Sequence, residues 1–290
     1  MELADAHCHL QDPRLSGVLP ELLAQSKALG VRQWVVNATR EADWPAVASL
    51  SKSTTGLRAA FGLHPWWQKH RTPVWRETLI SMLTSHPDAS IGETGLDLWM
   101  QDADIKDQVT VLRAHLDIAR LLERPITIHC LKAWQHLLDV MQNETPAPGR
   151  FLLHSYAGPS EMIKPWTKLG AFFSFSPAFL DPKKAKIRRM FQSEIPLNRI
   201  LIETDAPDMA APKELSRYEV PPVAEAIDPS GHSSKRLNHP ANLILCIEAI
   251  ASDRGIPKEE AAELFMDSFY KLFGDQQKAP TKSSQALSER

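Results

Sequence analysis

Two histidines near the start of the chain, His7 and His9, have the spacing of a metal-binding pair. If residues 3–9 form a strand, Asp5, His7 and His9 share one face and Cys8 lies on the other, because strand side chains alternate with a period of two. Imidazole is the commonest protein ligand for zinc-like metals, so two on one face supply half of a coordination shell. The motif alone is a weak signal and requires further ligands downstream.

Seven further apolar runs follow, and their ends fall near residues 37, 63, 93, 129, 154, 175 and 205. The average separation is about 28 residues, which is the length of one strand plus one helix. The clearest helical segment is 107–123, where apolar residues recur at a spacing of three and four. We therefore predict an α/β fold, a (β/α)8 TIM-type barrel. A doubly wound open sheet is the alternative, but the sequence lacks the phosphate-binding glycine loop that this architecture calls for.

Polar side chains stand where six of these predicted strands end. In a (β/α)8 barrel the C-terminal ends of the strands converge on the rim that carries active sites. Each residue alone has an ordinary structural explanation, such as a hydrogen-bonded histidine at a strand terminus. Together they indicate a metal site, and the residues concerned are His7, His9, His64, Glu93, His129, His154 and Asp205. Five of the remaining histidines are interpreted as surface residues: His70, His86, His115, His136 and His232.

The order of these residues resembles that of the TatD-related metal-dependent deoxyribonucleases, a branch of the amidohydrolase-like barrels. The resemblance covers residues 3–274 and is carried by short motifs around the candidate ligands and beyond them. These motifs are His7-x-His9, Gly62-Leu63-His64-Pro65, Glu93 within residues 91–97, His129, His154, residues 203–207, Asn238-x-Pro240-Ala241 and Leu272-Phe273-Gly274. The resemblance implies a TIM-type barrel, divalent metals and hydrolysis of DNA phosphodiester bonds.

Two divalent ions are expected, with zinc, magnesium and manganese all compatible with mixed imidazole and carboxylate ligands. We assign His7, His9 and Asp205 to one ion, His129 and His154 to the second, and Glu93 to a bridge between them. Such a pair would acidify a shared water and neutralise charge on a phosphoryl group.

Three rim residues are given further roles. Asp205 is the candidate general base, and His64 is expected to bind a substrate phosphate or to protonate the leaving group. Glu203 precedes Asp205 by two residues, so we expect it to orient a metal ligand from behind. The enzyme is then expected to act on single-stranded DNA or frayed ends, as a 3′–5′ exonuclease.

Departures from the family pattern leave the substrate open. The resemblance implies an arginine at position 131, where this chain has leucine, and Lys132 is a candidate replacement for its phosphate contact. Trp66 and Asn238 are further candidates for substrate binding. The alternative substrate is a carbonyl ester or amide, such as a small lactone or amide or an aminoacyl-tRNA ester. A third hypothesis is a binding module without turnover.

Composition sets the remaining expectations. The chain of 290 residues has 33 Lys and Arg against 35 Asp and Glu, a net charge of −2, so nucleic-acid affinity must be local. The candidate patch is the loop of residues 213–239, which contains Arg217, Lys235 and Arg236.

Three unpaired cysteines and the lack of a long apolar run predict a cytoplasmic protein without a membrane partner, most simply a monomer. We expect one barrel domain over residues 1–274 with added C-terminal helices near 240–252 and 257–272, and a disordered polar tail over 275–290.

Overall fold

The computed structural model describes residues 1–143, 150–221 and 236–274. Within these ranges strands and helices alternate along the chain. In order they are β1 (Leu3–Cys8), α1 (Leu19–Ala28), β2 (Val31–Asn37), α2 (Trp44–Ser53), β3 (Leu57–Phe61), α3 (Trp75–Ser85), β4 (Ser90–Asp97), α4 (Ile105–Leu122), β5 (Ile126–Leu131), α5 (Trp134–Asn143), β6 (Phe151–Leu153), α6 (Ile163–Lys168), β7 (Ala171–Phe175), α7 (Ala185–Ser193), β8 (Ile200–Ile202), α8 (Leu243–Arg254) and α9 (Lys258–Phe273).

The eight strands form one parallel sheet in the order β1 to β8, with every neighbouring pair in sequence also paired in space. The strands are buried along most of their length, as expected when helices cover the outer face of a barrel. The predicted (β/α)8 barrel is confirmed, and each predicted strand overlaps an observed one. The predicted C-terminal helices correspond to α8 and α9, while residues 275–290 lie outside the described residues.

The barrel closes between β8 and β1 through hydrogen bonds beyond the end of β8. Asp205 N donates to the His7 carbonyl oxygen (2.9 Å), and His9 N donates to that of Ala206 (2.7 Å). Deeper in the barrel, the buried Asp5 carboxylate accepts from the Thr204 backbone N (2.9 Å) and from the Thr204 hydroxyl. A side chain therefore joins the first and last strands just below the candidate ligands.

Helix α9 fills the opposite, N-terminal end of the barrel. Its side chains pack against small and apolar residues on the strands, including Ala4, Ala6, Val35, Ala60, Leu152, Phe172 and Leu201. Arg58, at the start of β3, donates to the carbonyl oxygens of Phe273 (3.0 Å) and Gly274 (2.8 Å). Because the N-terminal end is filled in this way, the C-terminal rim is the end of the barrel open for chemistry.

The surface interpretation is wrong for His115, which is fully buried in α4. Its Nε2 accepts from Leu63 N (3.2 Å), its Nδ1 donates to the Val111 carbonyl oxygen (2.8 Å), and its ring stacks on Trp75. His115 thus ties α4 to the end of β3. His70 and His136 are exposed, His86 is half-buried, and His232 lies outside the described residues. None of the helices in the described ranges combines the length and apolar character needed to cross a bilayer.

Candidate metal centre

The six predicted ligands converge at the C-terminal rim of the barrel. His7 lies on β1 and His9 just after it, while Glu93 lies within β4 and His129 within β5. His154 follows β6 and Asp205 follows β8. Parallel strands end at the same edge, so residues almost 200 positions apart in sequence become neighbours there. They form two groups of donor atoms on either side of Glu93.

The first group comprises His7, His9, Asp205 and one oxygen of Glu93. His7 Nε2 and His9 Nε2 lie 3.1 Å apart, and each is 3.3–3.4 Å from Glu93 Oε2 and from Asp205 Oδ1. Ligands about 2.0–2.1 Å from a tetrahedral ion are separated by about 3.3–3.4 Å, given the zinc–nitrogen and zinc–oxygen bond lengths usual in proteins. The spacing and chemistry of these donors therefore fit a divalent cation.

The second group uses the other oxygen of Glu93. Oε1 lies 3.1 Å from His129 Nδ1 and 2.8 Å from His154 Nε2, and these two nitrogens are 3.2 Å apart. Glu93 thus presents one oxygen to each group and has the geometry of a bridging carboxylate. The Glu93 side chain is only 3% exposed, so few water molecules can compete for its two oxygens.

The electrostatics of the group hold the carboxylates ionised. Burial disfavours the Glu93 anion, but the surrounding histidines offset this and keep its pKa well below the usual range. Burial also opposes ionisation of Asp205, and hydrogen bonds with His7 and His9 lower its pKa. In return, Glu93 helps to raise the pKa of both His9 and His154 despite their burial. These carboxylates therefore favour protons on the neighbouring histidines in the metal-free protein, and a cation that binds there would compete with those protons.

Two histidines have their tautomers set by outer partners. His9 Nδ1 donates to the Asn37 carbonyl oxygen (2.7 Å), which leaves Nε2 as its lone-pair nitrogen. His129 Nε2 donates to Asp97 Oδ2 (3.0 Å), which leaves Nδ1 facing the centre. Fixing the outer N–H in this way orients a ligating imidazole and raises its basicity.

Asp97 has a site role that sequence reasoning missed. It ends β4, is fully buried, and also accepts from Trp66 Nε1 (2.8 Å) and Trp99 N (2.7 Å). A signal was available: Asp97 follows Glu93 by four residues on one strand, so both side chains lie on the same face. Between them, Gly95 allows close approach to β5, because a Cβ built there would lie 1.9 Å from the His129 carbonyl oxygen.

His64 lies beside the second group but differs from its histidines in the direction of its hydrogen bonds. Its Nδ1 accepts from Trp66 N (3.1 Å), so the neutral ring carries its proton on Nε2, which lies 3.5 Å from Glu93 Oε1. Burial lowers the pKa of His64, which keeps this ring neutral. The geometry makes His64 a hydrogen-bond donor to the centre.

Glu203 is buried behind the rim, as expected, but it does not hydrogen-bond a ligand. Its carboxylate accepts from the hydroxyls of Ser155 (2.5 Å) and Ser174. The nearest ligand atom, His154 Nδ1, is 3.7 Å away, beyond hydrogen-bonding distance. Glu203 therefore acts on His154 through its charge.

A cavity of about 460 Å³ opens above the two groups. Trp66, Trp67, Trp99 and Leu131 are among the apolar side chains that line it, together with His9, His64, Glu93, His129, His154 and Asp205. Five of the six candidate ligands thus line a pocket with aromatic walls, a form typical of small-molecule and nucleotide sites.

Two residues expected to contact substrate lie elsewhere. Lys132 is exposed and is not among the described residues that line the cavity, whereas Leu131 is. Asn238 is fully buried, and its side-chain amide donates to the Thr204 carbonyl oxygen (2.7 Å). Asn238 therefore supports the loop that carries Asp205, because its donor group is already used within the protein.

Two arginines of the predicted basic loop already have partners within the protein. Arg217 pairs with Glu248 at 2.6 Å, and Arg236 donates to the Ala211 carbonyl oxygen. Lys235 lies outside the described residues.

A family model described as TatD-related DNase matches residues 4–274. The chain belongs to the TatD-related DNase family. An uncharacterized metal-dependent hydrolase of Escherichia coli K12, YjjV, is 26% identical over 93% of this chain and 96% of its own. The human protein named deoxyribonuclease TATDN3 is 24% identical over 93% of this chain and 94% of its own.

Solved structures agree with this membership. The crystal structure of E. coli YjjV superposes with a TM-score of 0.82 at 25% identity, covering 94% of this chain and 98% of that one. A TatD-family hydrolase from Entamoeba histolytica shares the fold, with a TM-score of 0.79 at 18% identity over 95% and 99% of the two chains. The protein is a metal-dependent hydrolase of this family, with His, Asp and Glu clusters able to bind metal.

Proposed function

We propose that the protein is a deoxyribonuclease that cleaves phosphodiester bonds of single-stranded DNA or frayed ends, with two divalent ions held at the rim. The observation that carries the proposal is the position of Glu93, whose two oxygens face two separate sets of imidazole and carboxylate donors. Two divalent cations held in this way would supply an acidified water and positive charge for phosphoryl oxygens.

The protein side chains contribute proton transfer and orientation. Asp205 directs Oδ1 toward His7 and His9, while Oδ2 has no hydrogen-bond partner among the described residues and Asp205 lines the cavity. We assign Asp205 Oδ2 to proton acceptance from the attacking water. His64 donates from Nε2 to a substrate oxygen, since its Nδ1 is already an acceptor; this geometry favours the phosphate-binding role over protonation of the leaving group.

The cavity supports a preference for flexible substrates. The donor atoms lie below a wall of indole rings, and Trp66 is held by its bond to Asp97. An unpaired base can stack on such a ring, whereas the interior of a duplex cannot enter the pocket. We further propose that the enzyme trims from a terminus, with the 3′–5′ polarity expected from the sequence. An end-labelled oligonucleotide ladder tests it, and cleavage of closed circular duplex as fast as linear single strands would contradict it.

The test of the bridging role is Glu93→Gln. Loss of one negative oxygen should reduce manganese-dependent DNA hydrolysis at least tenfold, since ligands and their supports matter by about 10–100-fold. Glu263→Gln, an exposed change on α9, is the matched control. Hydrolysis by Glu93→Gln above about a tenth of the control would contradict the bridge.

One observation favours a second candidate, hydrolysis of a carbonyl ester or amide. Leu131 lines the cavity where the family resemblance places an arginine, which makes this wall apolar. A panel containing single-stranded DNA, a simple phosphodiester and small esters, lactones and amides, assayed with manganese, separates the two. Leu131→Arg should improve DNA cleavage if the substrate is a nucleic acid and should abolish activity if an apolar substrate packs on Leu131.

A further inference from the structure

We propose that Arg40, at the mouth of the cavity, binds a phosphate that flanks the scissile one in a single-stranded nucleic-acid substrate. This inference rests on the proposed nuclease function and identifies how the chain would hold the polymer. Arg40 lies in the loop between β2 and α2, and its side chain lines the same cavity as Glu93 and His64.

The Arg40 guanidinium is held in one orientation by two neighbours. Nε donates to Asp43 Oδ1 (3.0 Å), and the guanidinium lies over the ring of Trp67 at 4.6 Å from its centroid. Asp43 is itself fixed, because its Oδ2 accepts from the Thr39 hydroxyl (2.6 Å) and backbone N (3.3 Å). A stacked and hydrogen-bonded arginine loses less side-chain entropy when it binds a ligand than a freely rotating one.

The two terminal nitrogens of Arg40 have no hydrogen-bond or ion-pair partner among the described residues. Arg14, the other arginine among the described residues that line the cavity, is held by Asp12 and Asp208 at 2.7–3.0 Å. Of these two cations, Arg40 is therefore the one whose terminal nitrogens are available to donate to an incoming anion. A guanidinium fork matches the oxygens of a phosphate or carboxylate.

The location of Arg40 distinguishes a flanking phosphate from the one at the floor. Its side chain is 33% exposed, whereas that of Glu93 is 3% exposed. The loop is nevertheless tied to the floor, because the Thr39 carbonyl oxygen accepts from His64 N (2.8 Å). A substrate with one phosphate at the donor groups would meet Arg40 only if it carried a second anion toward the mouth. Nucleic acids carry one at every nucleotide.

The test compares substrates with one and several phosphates. For Arg40→Gln we expect KM for a short oligothymidylate to rise about tenfold or more, the scale of a lost hydrogen bond to a charged group. Turnover of bis(p-nitrophenyl) phosphate, which has a single phosphate, should stay within about twofold, and the salt slope of oligonucleotide binding should fall by about one. The KM of Arg40→Lys for the oligothymidylate should fall between those of the wild type and Arg40→Gln, since lysine keeps the charge without the planar fork. Arg189→Gln, an exposed change on α7, is the control.

A binding measurement separates failure of this inference from failure of the nuclease proposal. Calorimetric binding of thymidine 3′,5′-bisphosphate to the metal-loaded protein should weaken about tenfold in Arg40→Gln and remain unchanged in Arg189→Gln. An equal loss on both substrates, or no loss of oligonucleotide or bisphosphate binding, overturns the assignment. Wild-type protein that binds the bisphosphate through Arg40 but cleaves no oligonucleotide would refute the nuclease proposal alone.

Discussion

Replacement of Asp97 by Asn should weaken binding of the second metal ion by about 10–100-fold, or ~1.4–2.8 kcal/mol, the usual cost of losing an outer partner of a ligating histidine. Asp97 accepts from three donors: His129 Nε2, Trp66 Nε1 and Trp99 N. A carboxamide has only one accepting end. If the amide nitrogen of the new side chain pointed toward His129 and Trp66, two donors would face each other at the Trp66 indole N–H, which cannot accept. If it pointed toward Trp99, it would face the backbone N–H, which is also only a donor.

The damage should fall on His129 more than on the fold. If the amide nitrogen donates to His129 Nε2, the imidazole proton must move to Nδ1, the atom 3.1 Å from Glu93 Oε1. The nitrogen that faces the centre then has no lone pair for a cation. Among the described residues, the first group of donors, which includes His7 and His9, has no hydrogen bond or ion pair with Asp97 and should keep its affinity.

Titration of metal-free protein with manganese or zinc against a chromophoric chelator measures both binding steps. We expect one of the two binding steps to weaken in Asp97→Asn and the other to stay unchanged, with thermal unfolding of the metal-free form reported alongside. Asp117→Asn, on the exposed face of α4 with a side chain 44% exposed, is the control. If both binding steps of Asp97→Asn stay within about threefold of the control, the assignment of His129 as an oriented ligand is refuted.

Three further predictions concern turnover, packing and pH. Asp205→Asn should lose most turnover while retaining metal, measured by elemental analysis alongside activity; poor metal content with normal turnover per bound ion would refute its role as base. Gly95→Ala should lower the free energy of urea unfolding more than Gly255→Ala does. Both glycines have positive φ, but only at Gly95 would the added Cβ meet backbone, the His129 carbonyl oxygen at 1.9 Å. Equal losses of stability would refute the packing argument. Burial lowers the pKa of His115 to about 4, against about 6.5 in the unfolded chain. Because the unfolded chain binds the proton more tightly, the free energy of unfolding is highest above pH 6.5 and falls as the pH drops toward 4. At pH 5.5 the loss is about 1.4 kcal/mol. Urea unfolding of His115→Gln should lack that part of the pH dependence, whereas His136→Gln, a change at an exposed site, should retain it. Identical profiles of stability against pH for the two variants would contradict this prediction.

The barrel and the convergence of the candidate ligands could be predicted because both follow from local patterns. Short apolar runs at regular intervals indicate parallel strands, and the rim position of a residue such as His129 follows from where its run ends. The burial of His115 was also within reach, since it lies on the face of α4 that carries Leu112 and Leu116.

Other features depend on contacts that no local pattern carries. Asp5 meets Thr204 across 199 positions, and Asn238 is buried because the loop after β8 folds back over it. Only the closed barrel shows that Asn238 is a support, or that Arg40 faces the cavity and Lys132 does not. Sequence motifs place residues along a strand, whereas their partners depend on how distant loops pack.

The junction of β8 with β1 also determines when this centre can exist during synthesis. Asp205 is synthesised 198 residues after His7, about 10–40 s later at ordinary elongation rates. Helix α9, which fills the far end of the barrel, follows later still and ends at Phe273. A growing chain therefore carries its first histidines without their carboxylate partner, and the centre cannot be assembled until both Asp205 and α9 have been synthesised.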